Sequence, residues 1–502
     1  MAEEESIAAG IDEALRGHAS HSKAADSELG LPGVVKRPLN VTFMGAGSGF
    51  CPRVFRDILM ISTADRGECR LVDIDEDRLS AMHKLLEKVL VQAGRDEGWT
   101  VKSSTERREM LPGADYVINS IEVSGLESVA ADNDIPLKYG VDQCIGDTIG
   151  PGGLFKALRT GPVLLDILRD VRELCPRALV LNYTNPMNIL CMTAARAVPE
   201  VRIVGLCHSV QGTSHYMAKE ADVPYEEMEW QCAGINHLAW MTSLKHKGRD
   251  LYKEVLYEKF SKAVKEGLEE AAAGVARHDA AGHGVEAEYT QGDLVRKDMC
   301  VQFGAFITES SGHLSEHLPY YRKSDAGRDL LRLRYCGGSR FYASNWPTWR
   351  ANADKERERL LSGEDTLAMD RSWEYGSWII EAIEKNSPFV FHGNVMNVSD
   401  GVGPLVGNLL HDGCVEVACL VDGSGIHPTV FGNLPPQMAA ICRSNQAMFD
   451  LASKAIIERS KEAAIHAMML DPLCAAVLTP AEIRAMTIEM FEAEADVLPD
   501  YE

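Results

Sequence analysis

Cys207 and His237 are the pair of side chains best suited to joint chemistry in this sequence. A thiolate and an imidazole can hold a divalent metal and leave positions open for water and substrate, as a catalytic ion requires. Spacing alone leaves the pair open, because a strand-end thiol and a satisfied core histidine are the commoner explanation of a Cys and a His 30 residues apart. Their surroundings are dense in glycine and polar residues. Asp147-Thr148-Ile149-Gly150-Pro151-Gly152-Gly153 comes first, and Leu158-Arg159-Thr160-Gly161-Pro162 follows at an expected helix start. Asn182-Tyr183-Thr184-Asn185-Pro186, Cys207-His208-Ser209 and Gly234-Ile235-Asn236-His237 each end an expected strand. Polar clusters at the carboxyl ends of consecutive strands converge on one crevice in an open α/β sheet, where ligands bind.

A second chemistry lies upstream. Gly45-Ala46-Gly47-Ser48-Gly49 follows a short apolar run and precedes a helical stretch. Glycines there let the backbone turn tightly and approach a pyrophosphate, and the helix N-terminus adds free N–H groups. Phe50 stands where the full GxGxxG pattern has its third glycine, so an ordinary strand-to-helix turn is the competing reading. Asp73 closes the next strand, where an acidic residue meets the adenosine ribose hydroxyls and repels a 2′-phosphate. This favours NAD over NADP. Asn119-Ser120 ends a further strand and is expected to line the same crevice.

The elements that must position these residues alternate. Asn40–Met44, Cys69–Asp75, Asp115–Ser120, Ala178–Tyr183 and Val201–Leu206 read as strands, with helices near Arg53–Ile61 and Asp77–Ala93. Strands alternating with helices predict an α/β fold with a parallel sheet. Beyond about residue 230 the pattern becomes mixed α and β. Helical stretches are expected near Tyr252–Ala272, Ser372–Asn386 and Leu434–Ile465, with short strands at Phe389–Phe391 and Cys414–Val417. Ala271–Asp293 reads as a loop. We therefore expect three segments: a weakly ordered extension over 1–36 with a short helix around Ile11–Leu15, a dinucleotide-binding domain over 37–230, and an α+β domain over 231–502.

Composition narrows the class. A chain of 502 residues with 45% hydrophobic and 25% charged residues is an ordinary globular sequence of more than one domain. The formal charge of -23 argues against nucleic acid or an anionic membrane as partner. No apolar run long enough to span a bilayer and no signal peptide is visible, so a cytoplasmic location is expected. The 13 cysteines are odd in number and form no CxxC pair, which fits reduced thiols.

In order along the chain stand GAGS, DTIGPGG, ALRTGP, NYTNPMN, CHSVQGT, GINH, TESSGH (308–313), EYGS (374–377) and GIHPTVFGNLP (425–435). Together they resemble glycoside hydrolase family 4, the NAD-dependent glycosidases, from about Asn40 to near the C-terminus. CHSVQGT is similar to the α-galactosidase branch, with α-glucosidase or α-galacturonidase as the alternatives inside the family and an NAD-dependent sugar or hydroxy-acid dehydrogenase outside it. The long N-terminal extension departs from the family, whose members usually start near the first strand.

The resemblance implies a Rossmann-like NAD domain of lactate/malate dehydrogenase type with a distinct C-terminal domain, and a homodimer or homotetramer. It implies that Cys207 and His237 ligate a divalent metal, usually Mn²⁺, and hence that activity needs reducing conditions. It also implies that NAD takes a hydride from sugar C3, a base removes the C2 proton, the glycosidic oxygen leaves, water adds and the hydride returns, in place of the usual two-carboxylate hydrolysis. Asn185 and Asp147 match positions that contact the sugar, with Asp147 a candidate acid. A base after a mobile segment, often two residues after an Arg, implies Asp298 beside Arg296, which is itself expected to bind substrate, with Asp293 the competitor. His208, next to the metal cysteine, is expected to point at the sugar and to take part in acid catalysis.

Overall fold

The computed structural model describes residues 30–272, 293–332, 338–398, 401 and 403–502. The expected Ile11–Leu15 helix and nearly all of the expected Ala271–Asp293 loop lie outside the described residues. The end of the expected extension is packed: Leu31 and Val35 are buried, and the Leu31 N–H donates to Glu381 at 3.1 Å.

Six parallel strands form the first half: β1 (Leu39–Met44), β2 (Gly67–Val72), β3 (Trp99–Ser104), β4 (Tyr116–Asn119), β5 (Leu179–Asn182) and β6 (Arg202–Gly205). Their spatial order is β3-β2-β1-β4-β5-β6. The order reverses between β1 and β4, and a doubly wound sheet opens a ligand crevice at that point. β1, β4 and β5 are apolar almost throughout because helices cover both faces of a parallel sheet. β3 escapes sequence reading because WTVKSS is an edge strand in which only Trp99 is fully buried and no apolar run appears.

The sheet does not stop at β6. It continues through β11 (Phe389–Met396), β12 (Cys414–Asp422), β7 (Met228–Ile235), β8 (Leu238–His246) and β10 (Phe306–Ile307), with the short β9 (Arg249–Asp250) paired to β8. β11 runs antiparallel to β6, β12 to β11, and β7 to β12. The CHS and GINH strands follow one another in the chain but are not neighbours in the sheet: two later strands separate them. β11 and β12 pair over eight residues, while single bridges join β11 to β6 and β12 to β7; Gly205, Asn394, Glu416 and Gly234 stand in one row across the four.

Two helical expectations also change. Leu158–Pro162 lies in the middle of a helix, Gly150–Leu174, and does not start one. Gly161 is needed there because a Cβ would stand 2.8 Å from the Ile456 side chain, so the helix Pro436–Glu458 packs directly on this backbone. The long stretch Leu434–Ile465 is two helices, broken where Arg459 turns left-handed and Ser460 caps Lys461–Leu470. Among the described residues no helix is long and apolar enough to cross a membrane.

Candidate active site

The glycine loop sits at the top of β1. Gly45 has φ +77°, and a Cβ there would lie 2.7 Å from the Ser120 carbonyl oxygen, so only glycine fits. The N–H groups of Gly45 and Ala46 both donate to the Val72 carbonyl at 3.0 Å. The Gly47 N–H donates to Asp73 Oδ2 at 2.7 Å, while Asp73 Oδ1 accepts from the Asp75 N–H at 3.0 Å. Ser48 Oγ accepts from the Phe50 N–H at 3.2 Å at the head of the helix Phe50–Leu59. A side chain at Gly49 would meet no atom within 4 Å. Asn119, at the end of β4 across the crevice, donates to Asn182 Oδ1 at 2.8 Å, and its own Oδ1 is buried without a partner. A tight glycine turn, a helix N-terminus, a strand-end Asp and an unsatisfied carbonyl at the switch point fit a dinucleotide.

A second group of side chains gathers beyond the ends of β5, β6 and β7. Cys207 follows β6. His237 forms the hairpin turn between β7 and β8, with φ +60°. Glu309 follows β10, with φ +71°. Left-handed backbone at two non-glycine residues is strained, and such strain concentrates at functional sites. β10 is pinned to β8 by the Thr308 N–H to the Ala239 carbonyl (2.9 Å) and the Ala239 N–H to Thr308 Oγ1 (3.1 Å), which brings Glu309 beside His237. Donor atoms of Cys207, His237 and Glu309 lie within 4.8 Å of one another. A second set, Asp147, His237 and His313, meets the same limit.

Hydrogen bonds orient these groups. Thr148 Oγ1 donates to Asp147 Oδ1 at 2.7 Å and stands 3.0 Å from His237 Nδ1. A hydroxyl has one proton, so with that proton on Asp147 the Nδ1 must donate and Nε2 keeps its lone pair. Nε2 is the atom that faces Glu309, at 3.8 Å. This is how a metal-ligating histidine is held. Sulfur, nitrogen and carboxylate oxygen together fit a divalent transition ion. Cys207 Sγ donates to Ser209 Oγ at 3.3 Å. Burial and the charges of Glu416 and Glu309 push its thiol up to about 11, so a bound cation must displace a proton.

Asp147 accepts from Asn185 Nδ2 at 3.1 Å and faces His313 Nε2 at 3.4 Å. Burial opposes its charge, but His313, Lys156 and His237 hold its carboxyl well below the usual range. A carboxylate held ionised accepts and does not donate. Asp147 is thus set to orient Asn185 and His313. The carboxylate of Glu316, on the helix Ser311–Glu316 that carries His313, accepts the N–H groups of Cys144 at 2.5 Å and Ile145 at 2.8 Å, and so fixes the loop before Asp147.

His208 heads the helix Ser209–Ala221, with Glu374 3.5 Å from its Nδ1. Its side chain is largely exposed, and the Glu374 carboxylate beside it favours the protonated imidazole and raises its pKa. Glu416, in the bridge row beneath the site, is driven up to about 7 by burial, and its Oε2 has no hydrogen-bond partner.

The two candidate bases part company. Asp298 Oδ2 accepts from Tyr321 at 2.7 Å and Oδ1 from Gln302 at 3.2 Å, and its carboxylate lines a groove with Val264 and Leu268. The structure does not bring it to the donor cluster. Asp293 takes Arg296 Nε at 2.8 Å and the Ser311 hydroxyl at 2.6 Å. Ser311 begins the helix that carries His313, and Arg296 also donates to Thr213 at 3.1 Å. Arg296 is buried over the rings of Phe306 and Tyr216.

Glu309, His313, Thr148 and Glu374 escape sequence reading as site residues. Glu309 and His313 stand inside TESSGH and Thr148 inside DTIGPGG, but their placement depends on β10 pairing with β8 and on left-handed turns that no local pattern announces.

The family 4 glycosyl hydrolase model matches residues 40–223, and the model of that family's C-terminal domain matches 232–474. An alpha-galactosidase of Bacillus subtilis (strain 168) is 36% identical, over 92% of this chain and 99% of its own. An alpha-galactosidase of Rhizobium meliloti (strain 1021) is 34% identical, over 92% of this chain and 89% of its own. A crystal structure of 6-phospho-alpha-glucosidase from gut microorganisms in complex with NAD and Mn2+ superposes with a TM-score of 0.72 at 19% identity, covering 93% of this chain and all of that one. With both family models matched in order and full-length relatives at such identity, this chain belongs to the family 4 glycosyl hydrolases and is a glycoside hydrolase of α-galactosidase-like sequence.

Proposed function

We propose that the enzyme hydrolyses α-galactosides with a bound NAD and a divalent metal ion, Mn²⁺ in the first instance, through transient oxidation of the sugar. The convergence of Cys207, His237 and Glu309 carries this reading, because a glycosidase working with two carboxylates alone has no use for a thiol–imidazole–carboxylate donor set. The α-galactoside assignment is supported by the two relatives named as alpha-galactosidases and by the Cys207-His208-Ser209 signature.

The dinucleotide is assigned to Gly45, Ala46, Gly47, Ser48, Asp73 and Asn119, and the cation to Cys207, His237 and Glu309. Bound there, oxidised nicotinamide supplies a hydride acceptor and the cation polarises adjacent sugar oxygens. The chain's own groups do the rest. Asn185, held by Asp147, binds a sugar hydroxyl. We assign the removal of a carbon-bound proton from the sugar to Asp293, which pairs with Arg296 and with Ser311 of the helix that carries His313; Asp298 pairs with Tyr321 and Gln302. His208 contacts the sugar from the head of its helix. Thr148 keeps the His237 lone pair on Nε2.

Aryl α-galactoside, α-glucoside and α-galacturonide hydrolysis, each with and without NAD, Mn²⁺ and thiol, tests the proposal. We expect cleavage of the galactoside that disappears when any of the three additions is omitted from protein stripped of cofactors. Full activity of the stripped protein, or preference for another glycoside, overturns it. Net NADH formation on a free sugar would mark a dehydrogenase instead.

A further inference from the structure

The ribose end of the dinucleotide crevice holds a second, unassigned constraint. Arg78, early in the helix Glu76–Gln92, lies against the glycine loop. A Cβ on Gly47 would stand 2.9 Å from Asp73 Oδ2 and 3.0 Å from Arg78 Cβ, so carboxylate and arginine flank one glycine. Arg78 Nη1 reaches the Gly47 carbonyl at 3.4 Å. An arginine at this place is what receives the 2′-phosphate in NADP-binding folds. Here it is taken up. Asp354, on the helix Phe341–Ser362, accepts Arg78 Nη2 with both oxygens, at 2.7 and 2.8 Å, and also receives Arg357 Nη2 at 2.9 Å. The side chains of Arg78 and Asp354 are about one fifth and one third exposed. Asp75 adds a further carboxylate 3.7 Å from Arg78 Nε.

We infer that Asp354 is a specificity-determining residue for the dinucleotide: by engaging Arg78 it withholds a guanidinium beside Asp73 that could bind a 2′-phosphate. The inference rests on the dinucleotide reading above. Asp73 repels the extra phosphate, and Asp354 removes its natural partner. Neither needs to touch the nicotinamide. A charge-assisted hydrogen bond to a freed arginine is worth about tenfold or more in affinity.

Titration calorimetry of the full chain with NAD⁺ and with NADP⁺, without substrate, tests this. Asp354→Asn should raise the NADP⁺ to NAD⁺ affinity ratio about tenfold over wild type, and Asp354→Ser, a second variant, should do the same. Adding Arg78→Ala to Asp354→Asn should abolish the gain, which identifies the guanidinium as the group released. Adding Asp73→Asn should increase it. A ratio unchanged in both Asp354 variants, or a gain that survives Arg78→Ala, overturns the inference. Wild-type protein that binds neither dinucleotide overturns the dinucleotide reading and this inference with it.

Discussion

Thr148→Val would remove one hydroxyl and test how the metal histidine is held. The threonine is buried, and its oxygen serves both Asp147 at 2.7 Å and His237 at 3.0 Å. Valine fills nearly the same space but offers neither bond. His237 Nδ1 then loses the acceptor that fixes its proton, so Nε2 is no longer held as a lone pair and the ring is no longer held in the plane that faces Glu309. Loss of such a supporting hydrogen bond weakens metal affinity by about 10–100-fold, roughly 1.4–2.7 kcal/mol. His237 is buried and its Nδ1 is left without a partner, while Asp147 keeps Asn185 and His313, so the apoprotein should also lose about 1–3 kcal/mol of stability. Free Mn²⁺ measured by electron paramagnetic resonance during titration gives the dissociation constant, and thermal unfolding gives the stability change. NAD⁺ affinity reports that the first half of the sheet is intact. A folded Thr148→Val protein whose Mn²⁺ affinity stays within about twofold of wild type would refute this account of the site.

Asp293→Asn should lower kcat by at least about 100-fold, the usual contribution of a positioned base, whereas Asp298→Asn should leave kcat near wild type; the reverse order in steady-state kinetics would return the base to Asp298. Gly205→Ala would drive a methyl into Met187, and to 2.9 Å of Asn394 Cβ and 3.0 Å of Cys191 Sγ, so about 1–3 kcal/mol of stability should be lost in denaturant unfolding, with weaker Mn²⁺ binding as Cys207 shifts. Asp132 and Glu494 share the single buried guanidinium of Arg159, and burial with that crowding raises Glu494 to about 9. A carboxyl near 4.3 when unfolded and higher when folded favours the folded state at low pH, so its contribution is lost as pH rises from about 4 through 9. Glu494→Gln should therefore flatten the fall of Tm over that window, and an unchanged slope would remove Glu494 as its source.

The first half of the fold is legible because its signals are local. Short apolar runs ending in glycine or Asn mark β1, β4 and β5, and Gly45, Gly47 and Asp73 carry their meaning in type and spacing. The same holds for Cys207 and His237, which the structure brings together. The second half is less legible, because the site is completed by strands far apart in sequence. Nothing near Cys414 says that β12 will insert between β6 and β7, nor that Glu416 will stand beneath the cluster. Glu309 depends on a two-residue strand and a left-handed turn. Asp298 and Asp293 are not separable in the sequence, because spacing from Arg296 does not say which carboxylate meets the helix that carries His313. Pro162 hides the start of the helix Gly150–Leu174, because it reads as a first-turn proline but sits in the interior.

The most direct test of the mechanism is the isotope content of the product. Hydrolysis of an aryl α-galactoside in deuterated water, with NAD and Mn²⁺ present, should yield galactose carrying deuterium at C2, because a base on the enzyme removes that proton and solvent replaces it. Galactose released at full rate with only hydrogen at C2 would contradict oxidation-assisted elimination and point to direct displacement at the anomeric carbon.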